Sequence, residues 1–192
     1  MKKECSAEEA RLKAEAYCSL TERCTDDVLR KLEQWGSPSE AFDAIVESLK
    51  KERYIDEQRY ANAFVRDKYR FNQWGRIKIA QALRMKHVAS EYIYAALDEI
   101  DEEEYTSVLT SLLEKKRKSV KASTEYERNG KVIRFALSHG YDMGEILQCM
   151  KQIGCEDEYM DGFVEVLFPA MLLDLRENLV GRRRISVFSL PF

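Results

Sequence analysis

The sequence predicts an all-α fold: a tandem array of three three-helix, helix-turn-helix-like repeats, elongated and curved, followed by a C-terminal extension. Three observations lead there. Only 8 glycines and 3 prolines occur among 192 residues, where average usage of about 7% and 5% would give roughly 23, so the breakers that all-β and loop-rich folds need are scarce. Apolar residues recur at the i, i+3, i+4, i+7 spacing of one helix face. The pattern also repeats: Val28, Leu32, Gly36, Phe42, Ile45, Val46 and Leu49 return 51 residues later as Ile79, Leu83, His87, Ile93, Ala96, Leu97 and Ile100. A further shift of 53 gives Val132, Ala136, Gly140, Ile146, Cys149, Met150 and Ile153. A constant apolar pattern with drift elsewhere is what stacked helical units require, because each buries its face partly against a neighbour.

Repeat one covers residues 1–55, repeat two 56–101 and repeat three 102–161, with the extension at 162–192. Each repeat opens with a longer helix, over Ala7 to Glu22, Glu57 to Asn72 and Glu102 to Val120. Thr25 before Asp26 and Asp27, Ser37 before Pro38 and Glu40, and Ser90 before Glu91 put capping oxygens and carboxylates where helix N-termini favour them. Gly36 and Gly140 close the middle helices of repeats one and three in a left-handed conformation. His87 holds the matching place in repeat two, at modest cost for a histidine. The extension from Gly162 to Phe192 carries Arg182, Arg183 and Arg184 and an apolar end; it receives no role.

Composition narrows the function. With 45% apolar and 34% charged residues the chain can bury a core, and a formal charge of −3 excludes a uniformly basic, histone-like protein. The longest apolar stretch, Phe163 to Leu175, is interrupted by Glu165, Pro169 and Asp174 and falls short of the roughly 20 residues of a membrane span. The first residues carry no apolar core of a secretory signal, so the expected location is the cytoplasm. Five cysteines (Cys5, Cys18, Cys24, Cys149, Cys155) without a CxxC pair, and only His87 and His139 beside them, read as reduced structural thiols with no metal site. No phosphate-binding glycine loop and no nucleophile–histidine constellation occurs. The expectation is a protein with no catalytic residues and no cofactor, and a monomer, since no long heptad seam is present.

Charge is concentrated locally. Between Arg59 and Val88 eight basic residues (Arg59, Arg66, Lys68, Arg70, Arg76, Lys78, Arg84, Lys86) face one acid, Asp67. At 100° per residue Arg59, Arg66, Arg70 and Gln73 form one stripe of the first helix, opposite Tyr60, Ala61, Phe64, Val65 and Phe71. Lys78, Gln81 and Arg84 share a face of the next helix. A second cluster, Lys115, Lys116 and Arg117 with Lys118 and Lys121, lies at the end of repeat three's first helix, where cations also suit the dipole. Arg59, Arg66, Arg70, Arg76, Lys78, Arg84, Lys86, Lys115, Lys116 and Arg117 are therefore the candidate partner-binding residues. Arginine and lysine serve DNA phosphates and acidic protein surfaces alike, and both partners stay open. Tyr69, Phe71 and Trp74 among these cations could stack on bases, but an aromatic just before a helix start more often pins helix to helix. Lys68 falls toward the apolar stripe, where it either snorkels or pairs with a carboxylate. His87 and His139 read as capping cations or polar surface.

The segment Tyr54-Ile-Asp-Glu-Gln-Arg-Tyr-Ala61, then Phe64-Val65, Trp74-Gly75, Ile77, Lys78, Leu83 and Lys86 resembles the signature of the RecX family of bacterial recombinase regulators. The three-repeat helical layout resembles that family over roughly Ala7 to Ile153. His87 departs from the glycine usual there, and the extension has no family counterpart. The resemblance implies a non-enzymatic modulator that lodges in the groove of the RecA recombinase filament on single-stranded DNA. There it would restrain filament growth, ATP hydrolysis and strand exchange, in recombinational DNA repair and the SOS response. The residues alone also admit a sequence-specific helix-turn-helix DNA-binding regulator and a purely helical protein-interaction scaffold.

Overall fold

A computed structural model describes residues 5–155, so the extension and the end of repeat three lie outside the described residues. The described residues form nine α-helices and no strand: α1 Ala7–Leu20, α2 Thr25–Trp35, α3 Phe42–Lys51, α4 Glu57–Arg70, α5 Arg76–Arg84, α6 Ser90–Asp98, α7 Glu102–Ser119, α8 Glu125–Ser138 and α9 Met143–Gln152. They group in threes. The first helix of each unit stops one or two residues before its expected end, because Thr21, Phe71 and Val120 already serve as C-caps.

Caps differ from the sequence expectation. Side-chain caps open the first helix of every unit, with Ser6, Asp56 and Asp101 accepting from Glu9, Arg59 and Glu104 N–H. Thr124 and the Asp142–Glu145 capping box open α8 and α9. Thr25 and Ser90 lie one residue inside their helices and cap nothing, and Ser37 precedes a 3₁₀ turn, Ser39–Ala41, that leads into α3. The start of α2 is satisfied from another unit instead: Glu57 Oε1 accepts from the Thr25 backbone N–H (2.8 Å) and hydroxyl (2.6 Å). The middle helices do end left-handed, at Gly36 (φ 71°), His87 (φ 59°) and Gly140 (φ 87°).

Unit one has its own core, around Ala10, Ala14, Val28, Leu32, Ile45 and Leu49. Units two and three share one, which runs from Ala61, Val65 and Leu83 to Leu113, Val132 and Met150. Through this shared core passes a file of buried tyrosines, Tyr69 to Tyr105 to Tyr141, with ring centroids 6.0 and 5.3 Å apart.

Between units two and three the helices meet end to end. Gly75 N–H donates to His139 O (2.8 Å) and Ile77 N–H to Gly140 O (3.1 Å). The N-terminal donors of α5 and the carbonyls at the end of α8, groups that a lone helix leaves unpaired, thus satisfy one another. Contact is so close that a Cβ on Gly75 would sit 2.3 Å from Gly140 O, and one on Gly140 would sit 2.3 Å from the Lys78 Cβ. Glycine at 75 is required by this approach, since its own φ of −78° suits any residue. Glycine at 140 is required twice, by the approach and by its positive φ.

Candidate functional site

Once folded, the candidate cations divide according to what holds each of them. Arg59 donates through Nε to Glu22 Oε1 (2.6 Å) and through NH2 to Arg53 O (3.0 Å). Lys86 Nζ lies 2.6 Å from Asp27 Oδ1. Arg76 pairs with Glu102 (2.6 Å) and Glu145 (3.3 Å), its guanidinium 4.1 Å above the Tyr105 ring. The Tyr105 hydroxyl in turn accepts from Arg76 N–H (3.1 Å) and donates to Glu145 Oε2 (3.3 Å). Arg70 faces Glu104 at 3.4 Å, and Arg117 faces Glu125 at 3.1 Å. These five residues spend their charge on carboxylates of the same chain.

Arg66, Lys78, Arg84, Lys115 and Lys116 have no carboxylate partner among the described residues. Arg66 and Lys115 project into solvent. Arg84 donates to the Tyr94 hydroxyl (3.0 Å). Lys78 donates to Ser138 O (3.1 Å) and lies 4.7 Å from the Trp74 ring centroid. Lys116 lies 4.4 Å from the Phe135 ring. Lys68, which was not among the candidates, is a further cation of this kind, 5.2 Å from both the Phe64 and Trp74 rings. Of its two expected fates it takes the snorkelling one, its ammonium resting on aromatic faces.

These contacts join into one strip across units two and three. Lys86 lies 5.9 Å from Tyr60, Tyr60 packs on Phe64, and Phe64 touches Lys68. Trp74 then lies between Lys68 and Lys78; Lys78 donates to the Ser138 carbonyl, next to His139, whose ring lies tilted against Phe135 at 4.3 Å, and Phe135 in turn lies beneath Lys116. A ring beneath an ammonium contributes about 0.5–1 kcal/mol at exposed sites and fixes its position without neutralising it. Lys68, Lys78 and Lys116 are therefore held in place with their full charge available to an anion outside the protein. Trp74 is half-buried against the shared core, in keeping with the packing role over base stacking.

Two stripe assignments need correction. Phe71, expected on the apolar face of α4, is 81% exposed: its backbone is still helical and its N–H bonds Asp67 O, but this end of the face is left uncovered. Gln73, expected on the basic stripe, lies beyond the helix with φ 53°. His87 is exposed at the end of α5 with Nδ1 3.1 Å from Asp26 Oδ1, and His139 Nδ1 lies 3.0 Å from Phe135 O. Among the described residues no three His, Cys, Asp or Glu side chains gather as a metal site, and no helix is long and apolar enough to cross a membrane.

Sequence and fold comparisons converge. Residues 56–97 match the model of the second three-helix domain of RecX, and residues 102–150 that of the third. The chain is 31% identical over 140 residues to the regulatory protein RecX of Clostridium perfringens strain 13, covering 71% of this chain and 65% of that protein. With the regulatory protein RecX of Oceanobacillus iheyensis it shares 27% identity over 143 residues, covering 74% and 52%. The chain thus spans between half and two thirds of the length of these relatives. In fold it is similar to a crystal structure of RecX from Lactobacillus salivarius, at TM-score 0.68 and 18% identity over 76% of this chain and 95% of that one. A second crystal structure of regulatory protein RecX gives the same TM-score at 23% identity, over 76% and 73%.

Proposed function

Because the chain belongs to the RecX family, we propose that it is a non-enzymatic regulator that binds the RecA recombinase filament on single-stranded DNA. By doing so it restrains filament growth, ATP hydrolysis and strand exchange, and so modulates recombinational repair and the SOS response. The observation that carries this reading is the strip of carboxylate-free lysines, Lys68, Lys78 and Lys116, on the two units that match RecX domains. A nucleoprotein filament offers acidic protein surface and DNA phosphates together, and a file of fixed, uncompensated ammonium groups complements both. Arg66, Arg84 and Lys115 extend the cationic surface, while Arg59, Arg70, Arg76, Lys86 and Arg117 shape the protein that presents it.

The test is single-stranded-DNA-dependent ATP hydrolysis by a bacterial RecA, titrated with the full chain and with the variant Lys68→Gln/Lys78→Gln/Lys116→Gln. Inhibition at substoichiometric amounts by the unaltered chain, weakened in the variant, is the expected result. Hydrolysis unchanged at equimolar protein overturns the reading, and equal inhibition by the variant removes the strip from it.

A further inference from the structure

The two junctions between units are built from different materials. Units two and three share a hydrophobic core, a tyrosine file and backbone hydrogen bonds between helix ends. Units one and two meet chiefly through polar side chains: Glu22 with Arg59, Asp27 with Lys86, Asp26 with His87 and Thr25 with Glu57. Their cores are separate, and the one unit-one side chain within the second core is Cys24, at the residue that leads into α2. Beside these pairs lies a cleft of about 560 Å³, lined by Thr25, Asp26, Glu57, Lys86 and His87 among others, so the two units are not closely packed there.

We propose that the junction between units one and two is a charge-latched hinge: when its ion pairs break, unit one swings about Cys24 as a separate lobe, while units two and three move as one body. Packed cores and backbone hydrogen bonds respond little to screening, whereas the Arg59–Glu22 pair, open to water on both sides, weakens as the Debye length falls from about 10 Å at 0.1 M salt to about 3 Å at 1 M, and the more covered Lys86–Asp27 pair weakens less. Both cations of the latch, Arg59 and Lys86, belong to unit two, and their acids, Glu22 and Asp27, to unit one. Opening therefore frees Arg59 and Lys86 from their carboxylates on the unit that already bears Lys68 and Lys78. The hinge gives the protein a closed state with its cations partly masked and an open state with a longer cationic surface.

Distances between nitroxide labels test this in the full chain. Glu33 near the end of α2, Gln81 on α5 and Gln148 on α9 are exposed, whereas the native thiols are buried. Glu33 lies about 12 Å of helix beyond Thr25 at 1.5 Å per residue, a lever arm that magnifies rotation at the joint. In Glu33→Cys/Gln81→Cys protein the distance is expected to shift and its distribution to broaden at 1 M salt. The same change is expected at low salt once Glu22→Gln and Asp27→Asn remove the latch, while the distance in Gln81→Cys/Gln148→Cys protein stays fixed under both treatments. If either treatment leaves the 33-to-81 distance unchanged, or if the 81-to-148 distance changes with it, there is no charge-latched hinge at this junction.

Discussion

Replacing Gly75 by alanine measures the contact between units two and three almost in isolation. Gly75 has φ −78° and ψ 164°, which alanine adopts without strain, so the backbone contributes nothing to the cost. The added Cβ would lie 2.3 Å from Gly140 O and 2.4 Å from Gly140 C and Tyr141 N, all backbone atoms that cannot rotate away. Relief requires α5 to retract from α8, which breaks the bonds from Gly75 N–H to His139 O and from Ile77 N–H to Gly140 O, about 1 kcal/mol each. Strain in the shared core around Ile79 and Tyr141 adds about 1–3 kcal/mol, as overpacking typically does. The expected destabilisation is therefore about 3–5 kcal/mol, which lowers the urea midpoint by roughly 2 M at an m-value of about 2 kcal/mol/M. Gly154→Ala is the comparison: it has φ 78° with nothing within 4 Å of its Cβ, so only the left-handed cost of about 1–2 kcal/mol applies. Gly140→Ala incurs both costs, and in the double variant Gly75→Ala/Gly140→Ala the effects fall short of additive, because the contact can be lost only once. If Gly75→Ala proves as mild as Gly154→Ala, the end-to-end junction does not hold the units together.

Four further outcomes are expected. In Lys68→Gln/Lys78→Gln/Lys116→Gln protein, the salt slope of single-stranded oligonucleotide binding should fall by about 2, at roughly 0.7 per lost phosphate contact, and the same fall in Arg76→Gln or Lys86→Gln protein would refute the division of the cations. Burial raises the Asp27 carboxyl pKa, but the hydrogen bond and charge of Lys86 outweigh it, and the net value lies below the ordinary one. Its contribution is thus complete above its unfolded value of about 3.9 and is lost as pH falls through the lower folded value, so urea midpoints should drop faster in acid for the unaltered chain than for Lys86→Met; parallel curves would contradict this. Phe71→Ser should change stability by no more than about 0.5 kcal/mol, as exposed positions do, and a larger loss by thermal unfolding would mean that this ring is covered. Burial pushes the Cys18 and Cys24 thiols up to about 11, so alkylation near neutral pH should await unfolding; rapid labelling of the native protein, read by mass spectrometry, would show otherwise.

The helical units are legible in the sequence because their cause is local. An apolar residue every three or four positions can be buried only on one face of a helix, and Val28, Leu32, Ile79, Leu83, Val132 and Ala136 are indeed fully buried at corresponding places in the three units. Left-handed ends at Gly36, His87 and Gly140 were equally legible, since register alone required them. Part of the lysine strip was within reach too, because Phe64 with Lys68 and Phe135 with His139 are i, i+4 pairs on single helices. What decides the role of a cation, however, is its partner. Lys86 meets Asp27 from 59 residues away, Arg76 meets Glu145 from 69 and Lys78 meets the Ser138 carbonyl from 60. Helical periodicity fixes which face a residue occupies and carries no information about which distant face it will meet. The sequence by itself determined three amphipathic three-helix units and a basic middle one. Only the packing of those units decided which charges became structure and which remained for a partner, because charge pairing depends on distance in space and not on separation along the chain.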